Sequence, residues 1–220
     1  MVYRACIFDL DGTLINTEPL WQAAIDSLIT ETNSIRTPAD RVQFQENMRG
    51  LSLSRRCMLL KEFAHLPDDI KSLTNRARAY AYAAHIEKVA FIPGARECLE
   101  KLILKNIPRA IATNADSETL SRITQALDLS SFFGNHIYGI SVVNGSGKPD
   151  PAIYIYAAHH IGVSPTECVA IEDSSHGITA ARAAGMFCVG ITAVSAPANV
   201  RAADYIISGY SNLDITELFG

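Results

Sequence analysis

None of the five cysteines (Cys6, Cys57, Cys98, Cys168 and Cys188) forms a Cys-x-x-Cys pair. Their odd number and wide spacing suggest neither a thiolate metal site nor a disulfide framework, so buried, reduced thiols in a cytosolic protein are expected. No uninterrupted apolar run reaches the length that spans a bilayer. The stretch from Met1 to Phe8 is too short for a secretory leader and runs straight into Asp9. The expected location is therefore cytoplasmic, with no membrane partner. A net charge of only −4 gives no field that would draw a nucleic acid. No nucleic-acid partner is expected, and an anionic ligand must be captured by a local site. Internal repeats and low-complexity segments are missing as well. What remains is the composition of a globular protein, 48% hydrophobic and 19% charged over 220 residues. That length suffices for a full-sized core and fits either one large domain or a core plus a smaller lobe.

Short apolar runs alternate with helical patterns along most of the chain. The runs predict strands over Arg4–Phe8, Arg109–Thr113, His136–Ile140, Cys168–Ile171, Phe187–Ile191 and Tyr205–Ser208. Amphipathic stretches over Ala95–Lys105, Glu118–Leu127, Ala152–Ile161 and Ile178–Ala184 predict helices between them. Strands and helices of these lengths in alternation imply a parallel sheet covered on both faces. From Glu18 to Lys88 the pattern changes to helical periodicity alone, broken near Pro38, Gly50 and Pro67. The predicted organisation is an α/β core, Rossmann-like and three-layered, built from residues 1–15 and 91–220. An all-helical segment, 16–90, is inserted after the first strand.

The segment Ala5-Cys6-Ile7-Phe8-Asp9-Leu10-Asp11-Gly12-Thr13-Leu14 carries the strongest chemical signal. A buried strand runs directly into two carboxylates at i and i+2, which share one side of an extended chain. Like charges so close repel, and burial adds to the penalty. A divalent cation would relieve both, and Mg²⁺ favours oxygen ligands. Gly12 allows a sharp turn with close backbone approach. The same Asp-Gly pair also suits an ordinary turn. Three other strand ends supply matching groups at the edge where open α/β sheets bind ligands. They are Thr113-Asn114, the acidic pair Glu172-Asp173, and Lys148 in the glycine-rich loop Gly145-Ser146-Gly147-Lys148-Pro149.

In order along the chain, Asp9-Leu10-Asp11-Gly12-Thr13, Thr113-Asn114, Lys148-Pro149 and Glu172-Asp173 resemble the four motifs of the haloacid dehalogenase-like hydrolases. The resemblance is to the phosphoglucomutase and sugar-phosphate phosphatase branch, runs from end to end, and makes the inserted segment a helical cap. It implies an Mg²⁺-dependent phosphatase acting on small phosphate monoesters, sugar or polyol phosphates, through an aspartyl-phosphate. It further implies Asp9 as nucleophile, Asp11 as general acid and base, and Thr113, Asn114 and Lys148 as phosphoryl ligands. The implied metal ligands are Asp9, the Asp11 carbonyl, Asp173 and, directly or through water, Glu172. Arg49 and Arg76 are the candidate cap contacts to the sugar or a second anion of the substrate, a small phosphorylated metabolite, with ordinary surface arginines as the alternative. The enzyme is expected to be a monomer.

Two other readings share these motifs. A phosphomutase similar to β-phosphoglucomutase is one, but Trp21 and Leu53 stand where that enzyme carries a histidine and an arginine, and Arg55 or Arg56 would have to substitute. A catalytically silent binding protein is the other; it would be expected to have lost Asp9, Asp11, Lys148 or the acidic pair, and all are present.

Overall fold

The structure, a computed structural model, describes residues 2–33, 35, 37, 40, 41, 44, 48, 53–84 and 88–220. The chain divides into two compact units, Met1–Asn16 with Ala90–Gly220, and Thr17–Val89.

The first unit holds eight strands: β1 (Ala5–Phe8), β2 (Ile15–Asn16), β3 (Ala90–Phe91), β4 (Arg109–Ala112), β5 (Ile137–Tyr138), β6 (Cys168–Glu172), β7 (Phe187–Ile191) and β8 (Tyr205–Ile207). Six form one sheet in the order β5-β4-β1-β6-β7-β8, and every pairing in it is parallel. Numbering the described helices in order, α1 (Glu18–Thr32), α2 (Leu53–Ala64) and α3 (Ile70–Ala84) belong to the second unit. The first unit carries α4 (Ala95–Leu104), α5 (Ser117–Leu127), α6 (Leu129–Phe133), α7 (Ala152–His160), α8 (Ser175–Ala183) and α9 (Ile215–Phe219).

All four residues of β1 and all five of β6 are buried. Parallel strands buried on both sides read as unbroken apolar runs, which is why these were legible. Alternate residues part to opposite faces. Ala5, Ile7, Ala110, Ala112, Cys168, Ala170 and Cys188 join a core with Ile153, Tyr154, Ala157 and Ala158 of α7 and Ile178, Ala180 and Ala181 of α8. On the other face Phe8 meets Phe133 of α6 edge-on, ring centroids 6.0 Å apart. Helices therefore cover both faces, as the alternation of strands and helices predicts. Helix α8 starts three residues before the predicted Ile178 because the Ser174 hydroxyl accepts from Gly177 N at 3.0 Å and caps its first turn. Asp116 caps α5 in the same manner, accepting from Glu118 N and Thr119 N.

The chain runs from β1 to β4 and β5 on one side, then to β6, β7 and β8 on the other. The switch in direction lies at β1, and the crevice beyond the carboxyl ends of β1, β4 and β6 is where such sheets bind ligands. Strands β2 and β3 form a separate antiparallel pair, Ile15 opposite Phe91 and Asn16 opposite Ala90. The chain thus leaves the first unit and re-enters it at adjacent, hydrogen-bonded residues.

In the second unit, Leu20, Ala24, Ile25, Leu28 and Ile29 of α1 pack with Leu60 of α2 and Leu73, Ala77 and Ala81 of α3. Arg56 is buried in α2 and pairs with Glu18 at 2.5 Å. Among the described residues, no helix is long and apolar enough to cross a membrane.

All five thiols are free and buried. Burial pushes Cys98 and Cys168 up to about 12, so the nucleophilic thiolate is scarce near neutral pH. In the native protein at pH 8, none of the five should react with a disulfide reagent within minutes, whereas all five should react in guanidinium. Spectrophotometric thiol counting checks this, and rapid labelling of any native thiol contradicts it.

Candidate active site

Asp9 follows the last residue of β1, and its backbone N–H donates to Ile171 O of β6 at 3.0 Å. Thr113 follows β4 and is held through its own N–H to Tyr138 O of β5, also at 3.0 Å. Glu172 ends β6 and Asp173 follows it. Three neighbouring strands thus deliver Asp9, Thr113 and the acidic pair to one edge of the sheet.

Lys148 joins them from the loop before α7. Its Nζ donates to Asp9 Oδ1 and to Glu172 Oε1, each at 2.6 Å, and its side chain is 3% exposed. The Asn114 side chain fixes that loop: its Oδ1 accepts from Lys148 N at 2.9 Å and its Nδ2 donates to Lys148 O at 3.3 Å. The Thr113 hydroxyl accepts from Ala115 N at 3.2 Å. Asp116, not Thr113, is the cap of α5.

Glu172 is wholly buried and accepts five hydrogen bonds. Lys148 Nζ and the Tyr154 hydroxyl reach Oε1, while Asp173 N, Ser174 N and Ser174 Oγ reach Oε2. A carboxylate offers about four lone-pair sites, so Glu172 is filled. Asp173 is oriented by the Ser195 hydroxyl on Oδ2 and by Thr13 Oγ1, 3.4 Å from Oδ1. Gly12 has φ +84° and lies so close that a Cβ there would stand 2.1 Å from Asp173 Oδ2. Only glycine fits that turn.

Asp9, Glu172 and Asp173 each offer an oxygen, and these atoms all lie within 4.8 Å of one another. Burial pushes the Asp9 carboxyl well above the usual carboxylate range; Lys148 pulls it back, and Glu172 and Asp173 push it up again. Burial likewise raises Asp173 to about 6, against the pull of the Ser195 hydrogen bond. Burial alone would lower Lys148, but Asp9 and Glu172 outweigh it and hold the ammonium above its ordinary value. One ammonium faces three carboxylates out of water, an imbalance that a hard divalent cation on carboxylate oxygens would correct. Asp9 and Asp173, with the filled Glu172 behind them, fit such an ion.

A profile of the haloacid dehalogenase-like hydrolases matches residues 3–185. The chain belongs to that family. It is 32% identical over 184 residues to a phosphorylated carbohydrates phosphatase of Thermotoga maritima, a match that covers 83% of this chain and 82% of the relative. A haloacid dehalogenase-family hydrolase from Deinococcus radiodurans, solved with bound phosphate and sodium, superposes with a TM-score of 0.77 at 28% identity, covering 98% of this chain and 95% of that one. A β-phosphoglucomutase from Clostridium difficile has the same fold, with a TM-score of 0.74 at 23% identity over 99% of this chain and 95% of that one.

Within this haloacid dehalogenase-like fold, Asp9, Lys148, Glu172 and Asp173 converge, and Asn114 holds the Lys148 backbone. Asp11 lies in the turn after Asp9, in a β-bridge with Ile15. Arg76 is engaged inside the helical unit, by Glu31 at 2.7 Å and Asp68 at 2.8 Å; Arg49 lies outside the described residues. Tyr154, Ser195 and the role of Thr13 on Asp173 are absent from the sequence-derived set. Tyr154, six residues after Lys148, carries a usable hint, since a tyrosine in an apolar helix start needs a partner for its hydroxyl.

Gly177 gives this arrangement a structural test. A Cβ there would stand 1.7 Å from Glu172 Oε1, so Gly177→Ala must displace a carboxylate that five donors hold in place. The variant should lose about 1–3 kcal/mol of stability to overpacking, measured by urea unfolding. A midpoint equal to that of the wild type would show that the carboxylate can shift freely.

Proposed function

We propose that this chain is a phosphatase that hydrolyses small phosphate monoesters, sugar or polyol phosphates, with Asp9 as nucleophile. The observation that carries this reading is Lys148, buried and bonded at 2.6 Å to both Asp9 and Glu172. The family membership and the carbohydrate-phosphate phosphatase relative support the substrate class.

In the first step, an Asp9 carboxylate oxygen attacks phosphorus while the bond from phosphorus to the substrate oxygen breaks. Asp11 gives its proton to the departing oxygen, so an alcohol leaves rather than an alkoxide. In the second step, Asp11 takes a proton from a water molecule that attacks the aspartyl-phosphate. Phosphate is released, Asp9 is regenerated and Asp11 is again protonated. Lys148 offsets charge on the transferring phosphoryl group, with Thr113 as a further donor. Asp9, the Asp11 carbonyl and Asp173 would hold Mg²⁺; Glu172, filled by its five donors, stands behind them. When bound, the ion supplies positive charge to the phosphoryl oxygens. The five buried thiols are in keeping with a cytoplasmic setting.

Phosphate release from a panel of sugar and polyol phosphates, with Mg²⁺ and with EDTA, tests this directly. Asp9→Asn should fall to background, and Asp11→Asn should lose about 10²–10⁴-fold in kcat. Removing the metal should abolish turnover reversibly. Conversion of β-glucose 1-phosphate to glucose 6-phosphate, dependent on a bisphosphate primer and without net phosphate release, would instead make the chain a mutase. Wild-type turnover by Asp9→Asn would end the reading.

A further inference from the structure

Tyr154 has no part in the reaction set out above, yet it touches both members of its central ion pair. It is the third residue of α7 and is wholly buried. Its hydroxyl donates to Glu172 Oε1 at 2.7 Å, the oxygen that also accepts Lys148 Nζ at 2.6 Å. Lys148 Nζ in turn lies 4.8 Å from the centroid of the Tyr154 ring. The polar end of one side chain therefore rests on the carboxylate while its π face meets the ammonium.

We propose that Tyr154 is a positioning residue for Lys148, dividing the lysine's charge between Glu172 and the transferring phosphoryl group. The proposal rests on the phosphatase reading and deepens it. An ammonium has three N–H donors. Two go to Asp9 and Glu172, which leaves the third for a phosphoryl oxygen. A second donor on Glu172 Oε1 draws charge from that oxygen, so Glu172 matches the ammonium less completely. The ring closes one side of Nζ to water. Without the hydroxyl, Oε1 would answer to Lys148 alone, and the lysine would be drawn toward Glu172 and away from the reacting group. The loss would be felt most where phosphoryl charge is greatest, in the transition state.

The test is steady-state kinetics on p-nitrophenyl phosphate with Mg²⁺ for the wild type, Tyr154→Phe, Glu172→Gln, the double variant and Asp9→Asn. Thermal melting verifies that each is folded. Tyr154→Phe keeps the ring, so kcat should fall about tenfold with KM within about twofold. In the Glu172→Gln background the same change should alter kcat less than about twofold, because the hydroxyl acts through Glu172. Calorimetry gives a readout free of turnover and of the Glu172 variant. Tyr154→Phe should bind orthovanadate, which mimics the five-coordinate phosphoryl group, about tenfold more weakly, and inorganic phosphate within about twofold of wild type. A merely structural tyrosine would lower the melting temperature and weaken both anions alike. Wild-type kcat and vanadate affinity in Tyr154→Phe would overturn the proposal, as would equal losses in both backgrounds. Asp9→Asn separates the two claims: activity surviving there sinks the phosphatase reading itself, whatever Tyr154 does.

Discussion

A single ammonium held between two carboxylates, all three nearly out of water, is the constraint around which this molecule is arranged. Lys148 can offset one charge, but Asp9 and Glu172 both press on it at 2.6 Å and Asp173 stands close behind. Such a cluster is unfavourable unless its neighbours hold it rigidly and satisfy every lone pair. The sheet order answers the first need. With β1 between β4 and β6, Asp9 is flanked by Thr113 and by the acidic pair, and each is tied to an adjacent strand by backbone hydrogen bonds.

The second need is met by what surrounds Glu172. Its donors come from three places: the loop before α7, the third residue of α7, and the turn that opens α8. A negative charge beneath the first turn of a helix is also favoured by the backbone amides there. Glycine at 177 lets that turn descend onto the carboxylate. The result is a set of dipoles fixed before any substrate arrives, which is the property that makes electrostatic stabilisation effective.

How much of this could be read from residues alone depended on the range of the interactions involved. Strands β1 and β6 were legible because burial on both faces leaves an uninterrupted apolar signature, as in Cys6-Ile7-Phe8 and Val169-Ala170-Ile171. Asp9, Glu172 and Asp173 were legible because they end or directly follow strands that meet at one edge, whereas Lys148 was marked by its Lys-Pro motif in the loop before α7. The two-residue pair β2 and β3 was not, since so short an element has no period. Tyr154, Ser195 and Tyr210 were missed for another reason. Their hydroxyls meet Glu172, Asp173 and the Thr13 carbonyl across 18, 22 and 197 residues of chain, and no local pattern marks such meetings. Asn114 shows the converse limit. It was expected to face a phosphoryl group, and its amide is bonded to the Lys148 backbone on both its oxygen and its nitrogen.

The pairing of Ile15 with Phe91 and Asn16 with Ala90 means that the helical unit departs from and rejoins the sheet-bearing unit through neighbouring stitches. A segment attached in that way is a cassette. It can be lengthened, shortened or exchanged while the two stitches stay in register, and Asp9, Thr113, Lys148, Glu172 and Asp173 all lie outside it. Chemistry and the inserted segment thus occupy separable stretches of sequence, open to recombination as units, so that one stretch can drift while the other is conserved intact.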